Sequence, residues 1–191
     1  MRIHQTILFN TIHVSSFRSV VVGVLSGNPT DEPMHYGEVS GMWTHLFTNN
    51  GLIAGYRSFI NHAGDQDLKK HIEQAIEGLL NENQQILEIL KANEVGIPPA
   101  PPDRPNANLE NIPVGARFTD PEISASVSKD VAMGLVACSQ VMGQCIREDI
   151  AMMYGQFHLA KAQFGLKMLK LNKEKGWLIP PPLHYSKNTD C

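Results

Sequence analysis

The chain has 191 residues, 42% hydrophobic and only 18% charged, with a formal charge of −3. That length is enough for one domain with a real core, under a surface with little charge. No basic block is available to neutralise phosphates, which excludes nucleic acid as a main partner, and no apolar run is long enough to span a membrane.

Asn10, His13 and Arg18 interrupt every apolar run in the first 24 residues, so no signal peptide is read there. Val20-Val21-Val22 marks either a mis-assigned start, with translation beginning at Val22, or part of a weak strand or disordered arm. The expected division is an arm at 1–29, a helical bundle at 30–185 and a tail at 186–191. Of the three cysteines, Cys138 and Cys145 lie two turns apart on one helix, about 10 Å, beyond the roughly 7 Å reach of a disulfide. With Cys191 in a polar tail, all three read as reduced thiols and the compartment as cytoplasmic.

Gly27-Asn28-Pro29 is a turn, and Thr30-Asp31-Glu32-Pro33 carries capping side chains, acids and a first-turn proline. A first helix is expected to run from there to about Asn61, with Glu38, Met42, Leu46, Asn49, Ile53, Tyr56 and Ile60 on one 3.6-residue stripe. The short turn His62-Ala63-Gly64-Asp65 makes the next helix antiparallel. That second helix spans about Gln66 to Asn93, turns Leu68, Ile72, Ala75, Leu79, Ile86 and Leu90 inward, and is ended by Gly96.

Residues 97–119 contain Pro98, Pro99, Pro101, Pro102, Pro105 and Pro113 and predict an extended connection. A helix of this length measures roughly 40 Å, and the connection can stretch roughly 70 Å. It can therefore run the length of the bundle and leave the second and third helices parallel, in up-down-down-up order. Asp120 as N-cap and Pro121 at the first position start the third helix, whose inner side holds Val127, Val131, Gly134, Cys138, Val141 and Cys145. After a turn near Arg147-Glu148, the fourth helix points Ile150, Met153, Phe157, Phe164, Met168 and Leu171 inward. Lysines crowd its last turns, and it stops at Gly176-Trp177 before Pro180-Pro181-Pro182. The fold class is all-α, a four-helix bundle, and the echo between Leu90-Lys91-Ala92-Asn93 and Leu169-Lys170-Leu171-Asn172 suits a duplicated hairpin.

The long crossover, the Lys173-Glu174-Lys175-Gly176-Trp177 close and the prolines after it resemble the ferritin-like bundles of spore-forming Gram-positive bacteria. These include the CotF-like spore coat proteins and a neighbouring family of unknown function. The resemblance spans roughly residues 22–185. It implies a ferritin-like fold and a link to sporulation, with deposition in the spore coat beside other coat proteins, and it implies no activity.

Di-iron bundles of that kind need Glu-x-x-His on two helices. The residues three before His45, His62, His71 and His158 are Met42, Phe59, Leu68 and Gly155, so none of these four histidines carries the motif. Lys161, on the core stripe, also opposes a metal, and it could pair with Asp130. The up-down-down-up order would gather His35, Glu38, Cys145, Glu148 and Asp149 at one end, ligand types a divalent metal such as zinc accepts. The competing reading makes them helix caps, solvated acids and a core thiol. No phosphate-binding glycine loop or nucleophile elbow occurs, so no catalytic residue and no organic cofactor is assigned.

Charge is also absent from Val39 to Tyr56 and from Val131 to Ile146, whereas the second and fourth helices are read as charged on their outward sides. A second stripe on the first helix, Gly37, Gly41, Thr44, Thr48, Gly51, Gly55 and Ser58, repeats small residues at heptad spacing. Interior glycine costs about 1 kcal/mol relative to alanine, so the stripe calls for a closely approaching backbone. The expectation is a homodimer through the side formed by the first and third helices, unless the crossover covers it with Leu109, Ile112, Val114 and Phe118. The favoured function is a non-enzymatic, self-associating structural protein of the spore. The alternatives are a metal-binding or redox bundle and a binder of a small apolar ligand between helices.

Overall fold

The computed structural model describes residues 32–184. The expectations for the arm at 1–29, the start at 1–21, the turn at 27–29 and the tail at 186–191 lie outside them. Four α-helices make up the fold: α1 (Tyr36–His62), α2 (Gln66–Ala92), α3 (Asp120–Gln144) and α4 (Glu148–Glu174). No strand occurs among the described residues, and no helix is long and apolar enough to cross a membrane.

Caps set the ends. α1 begins three residues after Pro33, not at it, because His35 is the cap: its Nδ1 accepts from the Gly37 amide at 2.9 Å, and the His35 amide donates to Glu38 at 3.0 Å. α2 starts as expected behind Asp65, whose carboxylate accepts from the Asp67 and Leu68 amides. It ends at Asn93, earlier than Gly96, because Glu94 takes the left-handed conformation (φ 56°) and Val95 N–H closes back on the Leu90 carbonyl. At α3 the cap is Thr119 rather than Asp120; its amide and hydroxyl both donate to Glu122. α4 ends at the expected stop, where Gly176 (φ 72°) lets Trp177 N–H reach the Asn172 carbonyl.

The one-residue shift at α3 frees Asp120. Its two carboxylate oxygens accept from the Gly64 and Asp65 amides at 2.8 and 3.1 Å, pinning the α1–α2 turn to the start of α3. At the opposite end Glu38, on α1, accepts from the Ile146 and Arg147 amides between α3 and α4, each at 2.9 Å. Lys175, past the end of α4, bridges Asp65 and Asp67 at the start of α2. α2 and α3 therefore start at the same end, while α1 opposes α3 and α2 opposes α4, the up-down-down-up order. The crossover follows α1 along its length. Pro99–Pro101 share a cleft with Phe47 and Gly51, Arg57 pairs with Asp103, Asn61 bonds to Pro105 and Ala107, and Phe118 meets Phe59 and His62.

The apolar core comes in two parts. One surrounds Met42, Leu46, Ile86, Leu90, Tyr154 and Phe157; the other surrounds Ile53, Leu68, Ile72, Ile123, Val127 and Met168. Between them lies a polar layer. The buried Glu82 of α2 accepts from His45 Nε2 and Asn49 Nδ2 of α1, both at 3.0 Å, and from Lys161 Nζ of α4 at 2.7 and 2.8 Å. The expected Asp130–Lys161 pair is not formed: Lys161 takes Glu82, and Asp130 accepts from Tyr56 Oη at 3.4 Å and lies 3.3 Å from Lys129 Nζ. Burial alone would raise the Glu82 pKa, but the His45 hydrogen bond and the Lys161 charge and hydrogen bond outweigh it and hold the carboxyl below its ordinary 4.5.

Two outcomes follow. Asp120→Ala removes both acceptors at the turn and lowers unfolding stability in urea by about 1–3 kcal/mol, with helical circular dichroism unchanged. Lys161→Met leaves Glu82 buried without its cation and costs about 3–5 kcal/mol, while Glu82→Leu/Lys161→Met together recovers most of that loss. A carboxyl whose pKa is depressed by folding stabilises the fold above its unfolded value and stops doing so as pH falls through the folded one. Acid unfolding of the natural chain should therefore steepen below pH 4.5, and Glu82→Gln should flatten that dependence in urea melts taken across the range.

Candidate functional site

The two hairpins, α1–α2 and α3–α4, do not close completely on each other. A cavity of about 880 Å³ lies between them, with the polar layer as its floor. Its walls are built from small residues: Gly41, Thr44 and Thr48 of α1, Gly78 of α2, Gly134 and Ala137 of α3, and Ala160 of α4. Gly134 is required by its neighbour, since a Cβ there would sit 2.9 Å from Lys161 Cδ and displace the stem that reaches Glu82. At Gly78 an added Cβ would meet no atom within 4 Å. Glu82, Lys161, His45, Asn49, Tyr56 and Asp130 all reach this space.

The cluster expected at one end is partly assembled. His35 and Glu38 do meet the α3–α4 turn: His35 Nε2–H donates to the Gln144 carbonyl at 2.8 Å, and the fully buried Glu38 is spent on three backbone amides. Asp149 is held by Arg147 at 2.6 Å and its pKa is lowered by that hydrogen bond. Glu148 is exposed. Cys145 donates to the Val141 carbonyl, and burial, then the charges of Glu38 and Asp149, push its thiol up to about 11. These groups act as caps and anchors. Among the described residues no three His, Cys, Asp or Glu side chains are grouped to hold a metal ion. Cys138 is buried in the core, and burial lifts its thiol to about 11 as well, so neither thiol is a thiolate nucleophile at neutral pH.

The small-residue stripe of α1 is used within the chain at its start and open further along, where Thr44, Thr48 and Gly51 are exposed and a Cβ on Gly51 or Gly55 would meet no atom within 4 Å. Gly37 lies against the His35 ring, and a Cβ on Gly41 would come 3.1 Å from Val141 of α3. Thr44 and Thr48 line the cavity, and Gly51 faces the cleft beside Pro99–Pro101. Gly55 and Ser58 are half-buried. The crossover does border this helix, through Pro99–Pro101, Asp103 and Pro105; of the four residues expected to cover it Phe118 packs on Phe59 and His62, Leu109 and Ile112 are half-buried, and Val114 is exposed.

The outward side of α4 is charged in its last turns, where Lys167, Lys170, Lys173 and Glu174 are exposed, but not along its middle. Between Asp149 and Lys167 the sole charged residue is Lys161, which is turned inward to Glu82. Met152, Leu159 and Leu166, spaced by seven, are 63%, 60% and 67% exposed. Val136 on α3 is 61% exposed, and α3 carries no charge from Val131 to Gln144. Gly155 approaches Met142 and Gly165 approaches Val131, so the two helices sit close and share one charge-free outer surface.

Sequence comparison places this geometry among relatives. Residues 23–189 match a family described as protein of unknown function, DUF3231. The chain is 55% identical over 170 residues to the Bacillus subtilis (strain 168) protein named Uncharacterized protein YvdQ, covering 89% of this chain and 100% of that one. It is similar to the crystal structure of a candidate spore coat protein from Bacillus halodurans C-125, with a TM-score of 0.82 and 68% identity over 83% of this chain and all of that one. A conserved hypothetical protein from Mycobacterium tuberculosis shares the fold alone, with a TM-score of 0.58 and 12% identity over 71% of this chain and 96% of the other. On these matches the chain belongs to the DUF3231 family.

Proposed function

We propose that this protein is a non-enzymatic, self-associating structural component of the spore, made in the cytoplasm and deposited in the coat. The observation that carries the reading is the outer surface of the α3–α4 hairpin. From Met152 to Leu166 it runs about 21 Å, across two adjacent helices, with exposed Met, Leu and Val and no charge. Monomeric proteins rarely leave a contiguous apolar patch of more than a few hundred square ångströms uncovered.

A second copy of this chain suits the surface. An uncharged patch gains nothing from a charged partner and loses the hydration of that partner's charges. Two hairpins of identical pattern, related by a twofold axis, would set the leucine and methionine line of one against the small residues of the other, Ala132, Ser139, Gly143, Gly155 and Ala162. The stripe from Gly37 to Ser58 is the competing surface: Gly41 meets Val141 of α3, but Thr44, Thr48 and Gly51 are exposed. The likeness to a candidate spore coat protein supports the place of action. The capped and anchored groups at the end of the bundle, and protonated thiols, support a role without catalysis.

Light scattering tests it. The natural chain should run at twice its 21.1 kDa mass, and Leu159→Glu should return it to the monomer with helicity intact. Gly51→Arg should leave the mass unchanged; were it the variant that splits the dimer, the α1–α3 side would be the contact instead. A natural chain that stays monomeric at high concentration overturns self-association.

A further inference from the structure

We propose that the cavity between the hairpins is a binding site for an amphipathic organic amine, a primary ammonium group on a hydrocarbon or aromatic body. Three observations carry this. The first is the space itself: about 880 Å³, within the roughly 300–1,000 Å³ of small-molecule sites, with walls of glycine, alanine, threonine and apolar side chains and with glutamine amides such as Gln74, Gln140 and Gln163 among them. Gly78, exposed at the rim of this space, has no atom within 4 Å of the place a Cβ would take. The helix nonetheless carries a glycine there, at about 1 kcal/mol against alanine.

The second is the charge of the floor. Glu82 and Lys161 cancel each other in charge, and the Glu82 carboxylate accepts from Lys161, His45 and Asn49. Asp130 is different. Its carboxylate lines the cavity, is 17% exposed, and holds only a 3.4 Å hydrogen bond from Tyr56 and a 3.3 Å contact with Lys129, itself 69% exposed. At the mouth Glu77 and Lys167 oppose each other in sign. The remaining charge facing the cavity is therefore the negative one of Asp130, with acceptor capacity left for a short, charge-assisted bond. The third is aromatic: the rings of Tyr56 and Phe164 also line the space, and a ring face attracts an ammonium group. The cations lining the space are Lys161, bonded to Glu82, and Lys167, exposed at the mouth where Glu77 offsets its charge, so an anionic ligand finds no buried cation free, and a neutral one leaves Asp130 as it is.

Calorimetric titration of the full chain with octylamine, octan-1-ol and octanoate reads the selectivity. Octylamine should bind at least tenfold more tightly than octan-1-ol, and octanoate should not bind. Asp130→Asn should lose that tenfold preference while still binding the alcohol, which also shows that the variant is folded. Gly78→Phe, which places a ring at the cavity mouth without a backbone clash, should abolish binding of both and leave thermal unfolding intact. Equal affinity for amine and alcohol, an unchanged preference in Asp130→Asn, undiminished binding in Gly78→Phe, or no binding of octylamine to the natural chain would each overturn the site.

Discussion

One carboxylate in the middle of the bundle sets the relation of its parts. Glu82 of α2 takes donors from two positions on α1 and from Lys161 on α4. The His45 and Asn49 bonds fix how α1 is rotated against α2, and the Lys161 bond fixes how far one hairpin slides along the other. Apolar packing fills a core without choosing between near-equivalent registers of two rods; a buried ion pair with a single satisfied geometry does choose. The cost appears around it. A layer that cannot be packed with leucine splits the core in two, and Lys161 needs the missing side chain at Gly134 to cross the gap. The cavity lies over this layer for the same reason.

Topology then decides which surfaces are left. Because α2 and α3 are parallel, the chain between them has to travel the length of the bundle, and it does so beside α1. Prolines suit that path, since they need no N–H partner and hold the chain extended without a helix or sheet to support it. Asp103 and Pro105 fasten it to Arg57 and Asn61. Lack of charge on α1 is thus met in part within the chain, by α3 on one flank and the crossover on another, while Trp43 and Phe47 remain exposed. No comparable strap borders the α3–α4 hairpin among the described residues, and the same lack of charge there has a different meaning.

How far the sequence could be read follows from where side chains do local work. The ends of α2 and α4 are legible to within a residue because Asp65 and Gly176 act on backbone groups only a few positions away. The start of α1 is not, because a histidine stands where serine or aspartate is the usual cap, and the acids and proline before it form a more familiar signal. Asp120 looks like a cap by type and is instead a tertiary latch, which only the neighbouring turn reveals. The polar layer left one trace: the inward stripe of α2 jumps seven residues, from Leu79 to Ile86, across Glu82. Its partner was harder to name, because Lys161 could meet Asp130 or Glu82 and the choice depends on the rotation of α3. The outward line of α4 was legible in the spacing of Met152, Leu159 and Leu166, but the count of lysines and acids on that helix hid it, since the central charge, Lys161, is turned inward.

That inward lysine supplies the charge which the buried Glu82 requires. A buried carboxylate needs a compensating positive charge within hydrogen-bonding distance, whether a metal or a side chain supplies it. Here an ammonium group bonds both oxygens of the same carboxylate, and an imidazole and an amide take the remaining positions on one of them. The set is electrically complete with a single acid, so a cation entering it would have to expel Lys161 into a cavity walled by glycine and alanine. The same completeness leaves Asp130, one helical turn from Gly134 on α3, as an acid beside that cavity held by a 3.4 Å hydrogen bond from Tyr56 and a 3.3 Å ion pair with the exposed Lys129. The centre is built to hold its shape, and the capacity for recognition lies beside it.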